Sequence, residues 1–415
     1  MTSAQKAAPR RLFHGWYVVG AAFVVLFLAY GMQFSYGVFV ASMSHDLGWS
    51  RAETALPYSI YVFVYSALSA VTGHATDRFG PRRVIYCGAL LLGLGWSLSA
   101  WVRHPWQLNL TLGLVAGLGM SVAWVPCNAT VARWFTRRRG TAVAIASSGA
   151  SLGNFIVPAG IAALIGSWGW RGTLSALAVV SALLMLLAAR FMVRDPEEMG
   201  LWPDGDRLPP SHAALYGGYT VRELWRSESF LFVNAIYFLT WIVVFIPFVH
   251  APAYAHDLGL SPLASASILS GIGIGGVVGR LSSGIVSDAL GRFPTLLATF
   301  ALQVAGFLLF AWAHGIASLW FAAVIFGLSY GGGVALLPPL CGDLFGRAHV
   351  ASVVGTIFAL AGSPAAIGPT LAGWLYDTSG SYRSTFMLAA GLNGLAFGLT
   401  AVFAWRQRHA IAFTP

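Results

Sequence analysis

The chain has 415 residues, 57% of them hydrophobic and 9% charged, where a soluble domain carries about 25% charged residues, so it is a membrane protein. Its formal charge of +10 does not mark a nucleic-acid binder, because the basic residues fall at predicted helix ends rather than on one face. Cys87, Cys127 and Cys341 have neither pairing nor metal-ligand spacing, and no metal or cofactor is expected.

Apolar windows of about 20 residues predict membrane spans. They fall at 16–41, 53–75, 83–102, 107–131, 141–165, 173–193, 229–254, 263–287, 293–314, 317–341, 351–376 and 384–405. The first run lacks a small-residue cleavage site and is read as a retained span. Residues 1–15 and 407–415 are read as tails, 16–193 and 229–406 as six-helix bundles, and 194–228 as the linker between them. Prolines, glycines and acids mark that linker. TVRELWR near its end predicts a short interfacial helix, with Thr220 as N-cap and Glu223 three residues on. With both termini in the cytoplasm, Arg51, Arg103, Arg171 and Arg383 lie outside and Arg280 within the membrane, leaving 19 of the 24 Lys and Arg on the cytoplasmic side. Basic residues favour that side, which fixes the orientation.

The two halves repeat. His45-Asp46-Leu47-Gly48 matches His256-Asp257-Leu258-Gly259 at an offset of 211, as Gly73 and Asp77 match Gly284 and Asp288. Six helices separate equivalent points, an even number, so the halves share one orientation and enclose a site near the midplane. The expected fold is all-α: twelve transmembrane helices in two parallel-repeat bundles. Ser50 and Ser261 follow the repeated motif as N-caps, and a helix-entry role is the better reading of Asp257.

Arg280 lies inside GIGIGGVVGRLSSGIVSDALG, eight residues before Asp288. At about 1.5 Å per residue that is roughly 12 Å below the surface, near the centre of a ~30 Å hydrocarbon layer. The repeat maps Arg280 onto Ser69, so the charge is not scaffold. A lone intramembrane cation faces a cavity or a partner, and here it awaits an anionic ligand. Tyr30, Gln33 and Gly37 share one face, with Tyr36 beside Gln33, and Tyr58, Tyr61 and Tyr65 share another. Trp124, Asn128, Asn154, Asn234, Tyr237, Trp241, Tyr330 and Phe358 complete the candidate lining. Packing between helices is the competing role for the aromatics, and helix-to-helix hydrogen bonding for Asn128 and Asn154. Asp77, Arg78, Arg82, Arg83, Arg139, Asp288, Arg292 and Arg347 fall at cytoplasmic helix ends and are read as ion pairs that close that side.

Gly73-His74-Ala75-Thr76-Asp77-Arg78-Phe79-Gly80-Pro81-Arg82-Arg83 resembles the loop 2–3 signature of the major facilitator superfamily, with a degenerate copy from Gly284 to Arg292. Trp134-Phe135-Thr136-Arg137-Arg138-Arg139-Gly140-Thr141-Ala142 is similar to the helix 4–5 region of monocarboxylate transporters, a pattern shared with the oxalate/formate antiporter group. Gly200-Leu201-Trp202-Pro203-Asp204-Gly205 resembles a linker motif of bacterial members, which implies a bacterial inner membrane. The resemblance implies that Arg280 is the substrate-binding cation. The branch's aspartate one turn earlier is here Gly276, and its animal members' helix-1 lysine is absent. The antiporter group's second cation, in helix 11, is missing from 351–376. One cation suits one carboxylate, so the expectation is proton-coupled symport of a short monocarboxylate such as lactate or pyruvate by a monomer. Asp257 and His250 are the groups left to carry the proton, although an interfacial anchor is the better reading of His250. The alternatives are an organic-anion exchanger and a non-transporting sensor. No HExxH and no close intramembrane carboxylate pair supports an enzyme.

Overall fold

The computed structural model describes residues 13–49, 51–206, 219 and 221–412, and every regular element among them is helical. The first repeat contains α1 (His14–Leu47), α2 (Arg51–Ala67), α3 (Ser69–Phe79), α4 (Pro81–Ser99) and α5 (Pro105–Leu108). A π-helical stretch, Asn109–Ala116, then leads into α6 (Gly117–Met120), α7 (Trp124–Trp134) and α8 (Arg139–Ala189). After 3-10 turns at Pro196–Met199 and Pro203–Gly205 come α9 (Val221–Leu224), α10 (Glu228–Val244), α11 (Ile246–Asp257) and α12 (Pro262–Leu290). The chain ends with α13 (Arg292–Ala311), α14 (Ile316–Phe345), α15 (Val350–Gly362), α16 (Ile367–Ser379) and α17 (Tyr382–Ala412).

Ten helices among the described residues are long and apolar enough to cross a membrane, and α2 with α3, bent by 45°, make an eleventh span. The expected span 83–102 falls on α4, whose first turn carries Arg82 and Arg83. The separate spans expected at 141–165 and 173–193 run together as α8, broken at Gly169 by φ 67°. Positive φ recurs with the repeat: Gly48 and Gly259, Gly80 and Gly291, and Gly169 and Gly380 are each 211 apart. Gly80 and Gly291 join paired helices at φ 83° and 94°, a region closed to residues with a Cβ.

Ser261 caps α12 through its hydroxyl, which accepts from the Ala264 N–H at 3.3 Å. Asp257 does not start a helix. It ends α11, and its carboxylate accepts from the Tyr376 hydroxyl at 3.0 Å. Asp46, its repeat mate, accepts from Trp170 Nε1 at 2.7 Å. Both acids therefore tie a helix exit to a neighbouring helix. Ser50, Thr220, Lys6, Arg10, Arg11 and Arg207 lie outside the described residues, as do most of the tails and residues 207–218 of the linker.

Small residues set the helix spacing that matters for the site. Gly275 and Gly279 of α12 press against the backbone of Val324 and Leu328 on α14. Gly327 and Gly331 of α14 return the contact on Ile272 and Gly276. This small-residue spacing of four lets two backbones touch, and it holds the Arg280 helix in fixed register against Tyr330.

Candidate functional site

Arg280 projects from α12 into a cavity between the two repeats and is 3% exposed. Its guanidinium carbon lies 5.5 Å from the Tyr330 ring centroid and 5.9 Å from that of Trp124. No ion pair among the described residues includes it, and its Nε has no hydrogen-bond partner. Cation–π contacts contribute about 0.5–2 kcal/mol each. Burying an ion costs several kcal/mol even after relaxation, so the two rings do not offset the burial. An anion in the cavity would.

The cavity is lined by Tyr30, Gln33, Phe34, Tyr65, Ser66, Trp124, Ala150, Ser151, Asn154, Trp241, Val244, Phe245, Phe248, Tyr330, Val334, Phe358, Gly362 and Ala365 as well as Arg280. The space inside it that water can reach is about 70 Å³. At roughly 10–15 Å³ per water that is space for about five to seven waters, or a small organic acid. Trp124 Nε1 and Gln33 Oε1, from two of the lining residues, are buried without partners, which leaves one donor and one acceptor unpaired. Gln33 Nε2 donates to the Tyr58 hydroxyl at 3.3 Å. The apolar wall is built from edge-to-face pairs, Trp241 with Phe358 at 5.1 Å and Phe248 with Tyr330 at 5.2 Å.

Of the residues singled out from sequence, Tyr30, Gln33, Tyr65, Trp124, Asn154, Trp241, Tyr330 and Phe358 meet Arg280 at this cavity. Tyr36 does not: it stacks on Tyr58 and donates to the Thr54 carbonyl at 2.6 Å. Tyr237 is buried beside the cavity and donates to the Gly333 carbonyl at 3.0 Å. His250 sits against the Pro369 carbonyl at 2.9 Å and the Tyr382 hydroxyl at 3.3 Å, away from the cavity. Asp257 is also remote from it. Phe34, Ser66, Ser151, Phe245 and Phe248 line the site without having been anticipated. Their spacing on α1, α2, α8 and α10–α11 is as compatible with packing as with a lining.

The end of the molecule where α1 begins is closed beneath the cavity. Asp77, at the end of α3, accepts from the Ser352 N–H at 2.7 Å and hydroxyl at 2.6 Å, at the start of α15 in the other repeat. Asp288, at the end of α12, accepts from the Gly140 and Thr141 N–H groups at 2.8 and 2.7 Å, at the start of α8. Thr141 and Ser352 are themselves 211 apart, so each repeat caps a helix of the other by one rule. A carboxylate at a helix N-terminus meets free N–H groups and the positive end of the helix dipole. Ser69, the mate of Arg280, donates to the Gly355 carbonyl at 2.9 Å and so joins the two repeats where its partner lines the cavity.

Arg133 is the centre of this closure and went unrecognised in the sequence, where it looks like any basic residue at a helix end. It pairs with Asp77 at 2.5 Å and Asp195 at 3.2 Å, and donates to the Ala348 carbonyl at 2.6 Å. Arg139 and Arg292 both bind Asp343, and Arg292 also binds Asp288 at 2.6 Å. Arg347 pairs with Glu197 at 3.0 Å. The expected gate members Arg78, Arg82 and Arg83 do not join it. They are exposed, make no ion pair among the described residues, and Arg78 lies over the Phe79 ring at 5.3 Å.

A family model described as the Major Facilitator Superfamily matches residues 22–368. Monocarboxylate transporter 11 of Homo sapiens is 29% identical over 405 residues, covering 94% of this chain and 82% of its own. Monocarboxylate transporter 13 of Bos taurus is 29% identical over 390 residues, covering 93% and 88%. Among solved structures, the proton:xylose symporter XylE bound to 6-bromo-6-deoxy-D-glucose superimposes with a TM-score of 0.77 at 15% identity, covering 95% of both chains. At that identity the likeness concerns the fold alone.

Proposed function

The chain belongs to the Major Facilitator Superfamily, and from that premise we propose that it carries short monocarboxylates, lactate- or pyruvate-sized, across a bacterial inner membrane. One observation carries the reading: a buried guanidinium without an acid partner among the described residues, at the edge of a small cavity between two repeats. A carboxylate can accept two parallel N–H bonds from such a fork. Trp124 Nε1 and Gln33 Oε1 would then meet the rest of a polar acid, and Phe358, Trp241 and Phe248 its alkyl end. The basic end of the molecule faces the cytoplasm by the distribution of charge, so the closed side is cytoplasmic and the cavity loads from outside. Breaking the reciprocal caps lets the repeats rock and the same site open inward.

The family resemblance supports symport with a proton. A second reading has its own support: among the described residues no Asp, Glu or His lines the cavity. With no carboxylate or imidazole there to carry a proton, an empty Arg280 crosses unneutralised, which favours exchange of one acid for another. Labelled lactate uptake into proteoliposomes separates the two. Symport follows an imposed pH gradient, whereas exchange needs acid on both sides. Arg280→Gln should abolish either flux, and wild-type flux in that variant would refute the assignment of Arg280.

A further inference from the structure

We propose that the groove formed by Arg78, Arg82, Arg83 and Arg194 holds the phosphate group of an anionic membrane lipid. These residues sit where α3 turns into α4 and meets the chain leaving α8. The groove has a volume of about 330 Å³ and is completed by Phe79, Gly80, Pro81, Met192, Val193 and Glu198. Three of its four guanidinium groups have no carboxylate partner among the described residues, and its one acid, Glu198, is held by Arg194 at 3.1 Å. Arg194 also binds Asp195 at 2.9 Å, so its charge is the one already balanced. Arg78, Arg82 and Arg83 therefore carry uncompensated positive charge that the closure described above does not use, while Arg194 anchors the groove to that closure through Asp195 and the Asp77 carbonyl, 3.3 Å away.

The surroundings select a lipid over a soluble phosphate. The groove lies at the end of the seam between α4 and the later part of α8, which pack together where Gly93 meets Ala182. From it two apolar faces run towards the other side of the membrane: Leu90, Leu94 and Leu98 on α4, and Leu183 and Leu187 on α8 with Phe191 just past its end. All six are exposed, and the spacing of four places the α4 leucines in one stripe. Phe191 stacks on exposed Tyr17, an aromatic pair at the level of the arginines. Aromatic rings of this kind mark the headgroup boundary. Acyl chains along the leucine faces would bring a phosphate into the groove, and each arginine near an anionic leaflet contributes about fivefold to retention.

The test uses the full chain purified in a neutral detergent, with short-chain phosphatidylglycerol, phosphatidylcholine and inorganic phosphate as probes. Bound lipid is counted by native mass spectrometry, and the unfolding midpoint is followed in parallel. Arg82→Gln with Arg83→Gln is compared with Arg222→Gln with Arg226→Gln, an equal loss of exposed charge elsewhere on the same end. Phosphatidylglycerol should bind wild type and the control pair saturably and bind the groove pair roughly 25-fold more weakly, at about fivefold per arginine. Phosphatidylcholine and inorganic phosphate should do neither. Equal loss in both pairs would show diffuse charge attraction and overturn the site. Inorganic phosphate matching phosphatidylglycerol would show a soluble-anion site and overturn the lipid.

Discussion

Arg280 owes its chemistry to what is missing around it. Gly276, one turn earlier on α12, presents no carboxylate, and a Cβ there would make only ordinary contact, 3.5 Å from Ser151 Oγ. Gly276→Asp should therefore fit and place an acid at i, i−4 from the arginine, a spacing that pairs side chains on a helix. Binding of lactate at neutral pH should fall by about tenfold or more as that internal pair competes with a charge-assisted bond of about 1.5–3 kcal/mol. Protonating the new carboxylate frees the arginine, so affinity should recover as the pH is lowered; an equilibrium titration at several pH values checks the sign. Arg280 was legible because the hydrocarbon layer makes any charge conspicuous and the repeat shows that its mate, Ser69, carries none. Tyr36 and Tyr237 were not separable from Tyr30 and Tyr330 in the same way. All four are aromatics on membrane helices, and only the packed structure shows which hydroxyls end on a neighbouring carbonyl.

The pairing of α12 with α14 decides where that arginine points. On α12, Gly279 lies against the Leu328 carbonyl and cannot take a Cβ without moving backbone, whereas Gly273 has nothing within 4 Å. Gly279→Val should lower the unfolding midpoint and abolish acid binding by displacing Tyr330 from Arg280. Gly273→Ala should leave both unchanged or raise stability slightly, by up to about 1 kcal/mol, through lower freedom of the unfolded chain. Thermal unfolding of the two variants, with binding as the second readout, checks this contrast. The 48 glycines favour close helix approach, but the sequence does not say which glycines meet which helix. The positive-φ turns are a different case: Gly48, Gly80 and Gly169 and their mates stand at hairpin corners whose repetition can be read directly.

At the scale of the whole molecule, the two repeats close on one another by reciprocal helix capping rather than by surface ion pairs alone. Asp77 and Arg133 are each 6% exposed in their side chains, and breaking a buried pair costs about 3–5 kcal/mol, against about 0–1 for an exposed one. Asp77→Asn should shift the balance towards the state open at the basic end by about 100-fold or more, given about 3 kcal/mol lost from the closed state. Spin labels at Phe79 and Leu290, exposed and 211 apart at equivalent helix ends, would report the change as a longer distance. Asp288→Asn should act in the same direction because it undoes the equivalent cap made by the other repeat. The two aspartates were legible from the repeated motif. Their partners were not, since a backbone N–H in the other repeat leaves no mark in the sequence, and Arg133 is hidden among the basic residues that orient any membrane protein. The most direct test of the whole account is equilibrium binding of radiolabelled lactate to the purified protein, with neutral lactamide as competitor, for wild type and Arg280→Gln. Lactate should bind the wild type, lactamide should fail to displace it, and the variant should lose about 100-fold in affinity, the equivalent of about 3 kcal/mol. Unchanged lactate binding in Arg280→Gln, or displacement by lactamide as effective as by lactate itself, would contradict it.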